Sequence, residues 1–388
     1  MWRSIASNAL TLFIFVLIAL AAVIGWGKNQ YTSEGPLAEA ICLRVPQGAT
    51  FTKVSADLED KGAVSNASIL RIGAKYTEKT ALLKAGAFLV PEGSSMEEIV
   101  DIVTRGGAST CGTEVVYRIG VNRTQVQVRE LDPATQNYVV SAEFQPGEAG
   151  EEGETIPDVF TKVRDASDTR YRVSVAEGTT VWRVVESLKD VDVLEGSVEA
   201  DEMPAEGMLA PDSYEVVAGS DVDDLIARMI EAQKTRIDEI WANRSDDLPI
   251  STPEEMLTLA SIIEKETGIP TERRQVASVF VNRLNQGMRL QTDPTVIYGV
   301  TNGVGYLGRG LRQSELQSDS PYNTYVINGL PPAPIANPGV ASMEAAVNPD
   351  STPYIFFVAD GTGGHAFAET LAEHNANVAK WRKIEAEQ

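Results

Sequence analysis

The chain opens on an unbroken apolar stretch. From Ser4 to Gly27 there is no charged residue, and Leu10 to Trp26 reads LTLFIFVLIALAAVIGW. At about 1.5 Å per residue, these 24 residues reach roughly 36 Å, enough to cross a hydrocarbon core. A cleaved signal peptide is the competing reading. Against it, the run is longer than a usual h-region, and Gly25-Trp26-Gly27-Lys28 lacks an A-x-A-like cleavage site. The pattern therefore predicts a transmembrane helix over residues 10–27 behind a short cytoplasmic tail, 1–9. Arg3 before the span and Lys28 after it sign the orientation only weakly. No second apolar run approaches this length. The expectation is a single-pass protein of the inner (plasma) membrane, with its body in the periplasm.

Beyond the span, the apolar positions repeat. Val45-Pro-Gln-Gly48 is followed by Phe51, Val54 and Leu58; Val90-Pro-Glu-Gly93 by Met96, Ile99 and Val103; Val175-Ala-Glu-Gly178 by Val181, Val184 and Leu188. A Ser or Thr stands two residues after each glycine (Thr50, Ser95, Thr180), at an N-cap position. Each unit reads as a strand, a glycine turn and a short amphipathic helix. This shape resembles small LysM-like modules, and the resemblance implies glycan binding, although nothing in the repeat itself reads sugar.

Between the second and third units the period changes. Alternation in VVYRIGV and TQVQVREL predicts strands between Thr113 and Val140, and Glu143 to Asp158 is acidic without a basic residue, a solvated linker. After Val216 the pattern turns helical, with an amphipathic helix over Asp221–Trp241 and a polar break at Asn243–Ser251. The expected fold class is α+β. It comprises LysM-like modules over 28–110, a β-rich acidic insertion over 111–170, a second LysM-like unit and the start of a cleft over 171–217, and a mixed α+β catalytic domain over 218–388.

Charge narrows the partners. Lys and Arg number 33 against 55 Asp and Glu, a formal net charge of −22. Binding a phosphate backbone needs clustered cations, so nucleic acid is excluded, and so is a surface that clings to anionic lipid heads. Cys42 and Cys111 both lie beyond the span and can pair in an oxidising compartment; two buried thiols are the alternative. His365 and His374 have no cysteine nearby, so no metal and no cofactor is expected. His365, in a Gly-Gly-His turn, is a candidate for lining a cleft. The glycines of 303–310 and 361–364 lack the Lys-Ser or Lys-Thr of a phosphate loop and read as a mobile loop and a turn.

One helix carries the best candidates for chemistry. Thr252-Pro-Glu-Glu255 supplies a cap, a first-turn proline and a capping-box acid, and the helix runs through LTLASIIEKET to a stop at Gly268 and Pro270. Glu264 and Glu266 lie near its end. Ile263, Ile262 and Leu259 stand three, four and seven residues before Glu266, whereas Glu264 has Ser261, Ala260 and Leu257. Glu266 thus projects from the more apolar stripe, at the negative end of the helix dipole, and both effects favour a retained proton. The bland alternative is that both acids are exposed partners of Arg273 and Arg274.

The remaining motifs fall in a familiar order. Met288-Arg-Leu-Gln-Thr-Asp-Pro-Thr295 is followed by Ser320-Pro-Tyr-Asn-Thr-Tyr325, Gly329-Leu-Pro-Pro332, Ile335-Ala-Asn-Pro-Gly339, Tyr354-Ile-Phe-Phe-Val-Ala-Asp360 and Gly363-Gly-His-Ala-Phe367. Together with the Glu-Lys-Glu-Thr segment they resemble the MltG-like, or YceG-like, endolytic murein transglycosylases, closely over about Met203 to Trp381. The resemblance implies a membrane-anchored lytic transglycosylase that cuts the MurNAc–GlcNAc bond of nascent peptidoglycan strands and leaves 1,6-anhydro-MurNAc ends. It places the catalytic role on Glu266, with Glu264 as runner-up, and implies cell-wall synthases as partners. Glu264, Gln291, Asp293, Asn323, Tyr325 and His365 are the candidates for substrate binding or for holding the cleft in shape. A non-catalytic wall-binding scaffold and a muramidase-type hydrolase remain the alternatives; Asp293 is the best candidate for the second acid that a hydrolase needs. One departure is Ala210, in Glu206-Gly-Met-Leu-Ala-Pro-Asp-Ser-Tyr214, where the family pattern leads one to expect a sugar-stacking aromatic residue.

Overall fold

The computed structural model describes residues 2–106, 109–146, 156–164, 166, 168–199 and 202–387. It begins with helix α1 (Trp2–Thr32), followed by β1 (Ile41–Val45), α2 (Phe51–Asp60), α3 (Ala67–Tyr76), β2 (Gly86–Val90) and α4 (Met96–Thr104). Next come β3 (Thr113–Ile119), β4 (Thr124–Leu131), β5 (Tyr138–Phe144), α5 (Asp158–Arg164), β6 (Arg170–Val175), α6 (Val181–Leu188), β7 (Leu194–Glu195), β8 (Ser213–Val216) and β9 (Ser220–Asp221). The rest is mainly helical: α7 (Val222–Ala242), α8 (Pro253–Glu266), α9 (Arg273–Asn285), α10 (Asp293–Thr301), α11 (Val340–Val347), the pair β10 (Phe356–Ala359) and β11 (His365–Ala368), then α12 (Leu371–Glu387).

The strands form antiparallel pairs β1–β2 and β10–β11, a short parallel pair β7–β9, and a five-stranded sheet in the order β5–β4–β3–β6–β8. This is the expected mixed α+β class. The strands foreseen between residues 113 and 140 are β3, β4 and β5, and their sheet continues into β6 and β8. Of the acidic linker foreseen over Glu143–Asp158, residues 147–155 lie outside the described residues.

The chain divides into two compact units. The first comprises 1–115, 127–143 and 156–170. Here α1 runs past the expected end of the span at Gly27, through Lys28 to Thr32, because its last turn has something to bury against. Tyr31 is only 7% exposed and joins the same apolar core as Leu43, Leu70 and Ile99. Its ring lies so close over Gly73 in α3 that a Cβ there would meet it at 2.1 Å. The stretch Leu10–Thr32, 23 residues holding an 18-residue window of mean hydropathy 2.5, is long and apolar enough to cross a membrane. Cys42 in β1 and Cys111 form a disulfide, with Cα atoms 5.8 Å apart.

The second unit comprises 116–126, 144–155 and 171–388. Its core gathers around α8, with α7, α9 and α11 packed against it. Met256 to Ile263 are all buried, so α8 is a central helix without a solvent face. That removes the distinction the sequence drew between a polar and an apolar stripe, since Ser261 and Ala260 are as buried as Ile262 and Ile263. Ser261 fits because its hydroxyl donates to Thr258 O and accepts from Ile335 N–H.

The three glycine turns are built as their repeat predicts. Gly48, Gly93 and Gly178 take the left-handed conformation, with φ of 74°, 67° and 77°. Thr50, Ser95 and Thr180 each accept a hydrogen bond from the N–H three residues on, and Ser95 completes a capping box with Glu98. The apolar positions that define the repeat are all buried, none more than 6% exposed.

Candidate active site

The geometry starts from how α8 ends. Thr252 caps it by accepting from Glu255 N–H, while the Glu255 carboxylate accepts from Ser251 N–H, one residue earlier than a standard capping box requires. At the other end Thr267 is already extended, and its N–H still donates to Ile263 O. The helix therefore stops before Gly268, and Glu266 is its last residue, at the negative end of the dipole.

Glu266 is embedded but not sealed from solvent. The Thr292 hydroxyl donates to its Oε1. Burial pushes its carboxyl above the ordinary range, and the negative charge of Asp293 adds to this; the Thr292 bond, His365 and Arg283 pull the other way. Arg283 is fixed by its own bonds, Nε to Ile355 O at 2.7 Å and a terminal N–H to Leu290 O at 2.6 Å.

Two helix starts donate their capping side chains to this region. Thr292 precedes α10 but makes no cap, because its hydroxyl is on Glu266. Glu272 precedes α9 and makes none either. Its carboxylate holds His365, accepting from the backbone N–H at 3.2 Å and lying 2.9 Å from Nδ1. Gln291, just before Thr292, is left-handed at φ 48°, a conformation uncommon for a residue with a Cβ. It is held there by Gln291 N–H to Thr324 O at 3.1 Å and Thr292 N–H to Thr324 Oγ1 at 3.0 Å. The Gln291 side chain is exposed.

Asp293 is exposed too, and its Oδ1 accepts from the Tyr325 hydroxyl at 2.7 Å. Burial and this carboxylate raise the Tyr325 phenol. Glu266, Gln291, Asp293, Tyr325 and His365 thus belong to one neighbourhood. Asn323 does not present itself to a ligand. It is 0% exposed, its amide donates to Glu315 O, Leu316 O and Ser318 O, and its Oδ1 accepts from Tyr325 N–H. A substrate-binding role for Asn323 is therefore corrected to holding the loop that carries Tyr325. Ala210 is also fully buried, so its place is in packing and not on a cleft wall.

Glu264 has different company. Its Oε2 accepts from Gly339 N–H at 3.0 Å. The Glu177 carboxyl lies against Gly339, so close that a Cβ there would meet Oε1 at 1.7 Å, and burial together with Glu264 raises it. Neither Glu264 nor Glu266 has an ion pair with Arg273 or Arg274 among the described residues; Arg274 pairs with Asp350 at 3.5 Å.

Sequence reasoning missed four residues: Thr292, Glu272, Arg283 and Glu206. Glu206 accepts from Val181 N–H at 2.8 Å and from the Tyr298 hydroxyl at 3.2 Å, and burial raises its carboxyl to about 7. It sits at the far end of α10 from Thr292. Nearby, Thr180 Oγ1 donates to Gly303 O at 2.8 Å. A capping Thr or Glu gives no sign in sequence that its side chain will be used elsewhere; Glu206 and Thr292 at least stood inside recognised motifs.

The profile of the YceG-like family matches residues 121–380, about two thirds of the chain and all of this site. The chain belongs to the YceG-like family. An endolytic murein transglycosylase of Bacillus subtilis is 27% identical over 342 residues, 87% of this chain and 84% of that protein. One of Streptococcus pneumoniae is 27% identical over 387 residues, 96% of this chain but only 65% of that longer protein. A YceG-like protein of Listeria monocytogenes, known from a crystal structure, is 27% identical, with a TM-score of 0.44 over 87% of this chain and 98% of its own. Within the YceG-like match lie both candidate glutamates and every residue described around them.

Proposed function

We propose that this YceG-like protein is a lytic transglycosylase that cuts peptidoglycan strands between MurNAc and GlcNAc, with Glu266 as its acid and base. The observation that carries the reading is the environment of Glu266: a carboxyl at a helix C-terminus, raised by burial, with one oxygen held by Thr292. A raised carboxyl keeps its proton near neutral pH, as a general acid must. With Oε1 engaged, Oε2 carries the proton to the glycosidic oxygen. The resulting carboxylate is stabilised by the Thr292 hydroxyl and by the nearby Arg283 and His365. The C1–O bond breaks, GlcNAc leaves with the donated proton on its hydroxyl, and the carboxylate takes the proton of the MurNAc C6 hydroxyl as that oxygen bonds to C1. The 1,6-anhydro ring closes without water, so one carboxyl suffices.

Asp293 is tied to Tyr325, which suits a binding or shaping role better than that of a second acid. In this reading α1 anchors the enzyme in the plasma membrane, with the body on the wall side beside the synthases that make new strands. The strand–turn–helix units over 28–110 add glycan contacts.

The test is mass spectrometry of muropeptides after digestion with the full chain. Wild type should release 1,6-anhydro-MurNAc ends and Glu266→Gln none. Reducing MurNAc ends alone would make the protein a hydrolase, and full activity in the Gln variant would move the role away from Glu266.

A further inference from the structure

A pocket of about 670 Å³ lies among α7, α9 and α11, and none of the residues lining it is one that touches Glu266. Arg236, Arg273, Arg274, Glu239, Glu344 and Val340 give it its character: three cations, two anions and an apolar wall. The cations are not equally committed. Arg236 is bound to Asp212 and to Pro211 O, and Arg274 is an exposed partner of Asp350. Arg273 differs. Its Nε is buried and has no hydrogen-bond partner among the described residues, and its charge is felt only at longer range by Glu177. With no ion pair among the described residues, the Arg273 guanidinium is the cation at this pocket least committed within the chain, and a carboxylate matches it best.

Two further features favour the same ligand. Arg273 and Arg274 are the first residues of α9, and Val340 is the first of α11. Neither helix has a side-chain cap, in α9 because Glu272 has turned to His365. Both uncapped helix starts thus lie at the pocket through Arg273, Arg274 and Val340. Glu239 and Glu344 rule out a bare anion as the ideal guest. The combination suits a short peptide with a free carboxylate, an apolar body and an amine.

The geometry points to a binding site for the stem peptide that peptidoglycan strands carry on MurNAc, with Arg273 as the receptor of a peptide carboxylate. This rests on peptidoglycan being the substrate. Coupling to the cleavage site is short in sequence: Glu272, one residue before Arg273, holds His365, and Gly339, one residue before Val340, donates to Glu264. A filled pocket would favour strands that still bear peptides over stripped ones.

The experiment uses the full chain in detergent micelles. Calorimetry compares a synthetic stem tetrapeptide having free carboxylates with its fully amidated form. The free peptide should bind at least about tenfold more tightly, and Arg273→Gln should abolish that difference. In parallel, kcat/KM is measured on peptide-bearing strands and on strands stripped by an amidase. The ratio of the two should fall about tenfold in Arg273→Gln. Val340→Glu, which puts a negative charge at the pocket wall, should lower it in the same direction and carries the test if the arginine variant does not fold. Equal binding of the two peptides, no binding of either, or an unchanged ratio in both variants would overturn the site. If wild type binds the free peptide but cuts neither strand, the site stands and the transglycosylase reading falls. If it cuts strands but binds no peptide, the reverse holds.

Discussion

In the first unit the turn at Gly48 stands open, and a Cβ there would meet nothing within 4 Å. In the second unit the turn at Gly178 is covered: a Cβ would lie 3.6 Å from Glu264 Cγ and from Lys265 Cδ. Both turns have the same left-handed glycine, the same threonine cap and the same spacing of buried apolar residues. What separates them is Asn337. Its side chain donates to Thr179 O and accepts from Leu209 N–H, and its carbonyl accepts from Gly178 N–H. A local device good for starting a helix has been recruited in the second unit to back the end of α8, where the candidate acid sits. Lys265 Nζ donates to Gly178 O at 3.3 Å and completes the contact.

That contrast can be tested in order of effect. The largest belongs to the acid itself: Glu266→Gln should lower strand cleavage by about 10³-fold or more while leaving the thermal midpoint near that of wild type. An unchanged rate in a muropeptide assay would remove the reason for treating the second turn as special. Next, Asn337→Ala should cost about 1–3 kcal/mol in denaturant unfolding, since it leaves the buried Leu209 N–H unpaired and removes one of the two bonds to Thr179 O, the other coming from the Asn337 backbone N–H. It should also slow cleavage, because α8 loses its backing. Normal cleavage in a folded Asn337→Ala protein would show the turn to be a bystander.

The third prediction concerns pH. The Glu206 carboxyl is raised from 4.5 to about 7, chiefly by burial. The folded chain therefore holds a proton there that the unfolded chain has released, and stability should decline as pH rises from about 4.5 to about 7, then level off. Glu266 and Glu177 are raised too and act with the same sign. In Glu206→Gln the slope of the thermal midpoint over that window should flatten; an unaltered slope would assign the pH response to the other acids. The smallest effect is expected at the open turn. Thr50→Ala should cost about 1 kcal/mol, the value of a helix cap, with cleavage as in wild type.

Much of this arrangement was legible before folding, and the rest was not, for identifiable reasons. Caps, glycine turns and helix periods are local, so α2, α4, α6 and α7 lie close to where their residues place them. Asp221 even serves as the cap of α7 and not as its first residue, a difference of one position. The stripe argument for Glu266 expected a carboxyl raised by its apolar surroundings, and burial does raise it, but Met256 to Ile263 are all buried, so burial by itself does not separate the two stripes. The two acids are told apart by their distant partners, Thr292 for one and Gly339 for the other, 26 and 75 residues away. Asn323 could be given only a choice of roles, binding or holding the cleft in shape, because a buried amide that closes a loop and an exposed amide that binds sugar look alike in sequence; its bonds favour the second. The strands of 111–170 were foreseen as strands, but their sheet partners lie beyond any local pattern.

The end of α1 has a mechanical consequence. Tyr31 is locked over Gly73, and Leu37 enters the same core, so the apolar helix is fused to the first unit without a swivel. A protein held in a bilayer by such a helix is mounted on a stalk and not on a leash. The first unit would stand at one height and one tilt above the lipid, and its reach into the wall would be set as by a ruler. Inserting a few glycines after Gly27, ahead of the Tyr31 lock, would turn the stalk into a tether without touching a single residue of the site.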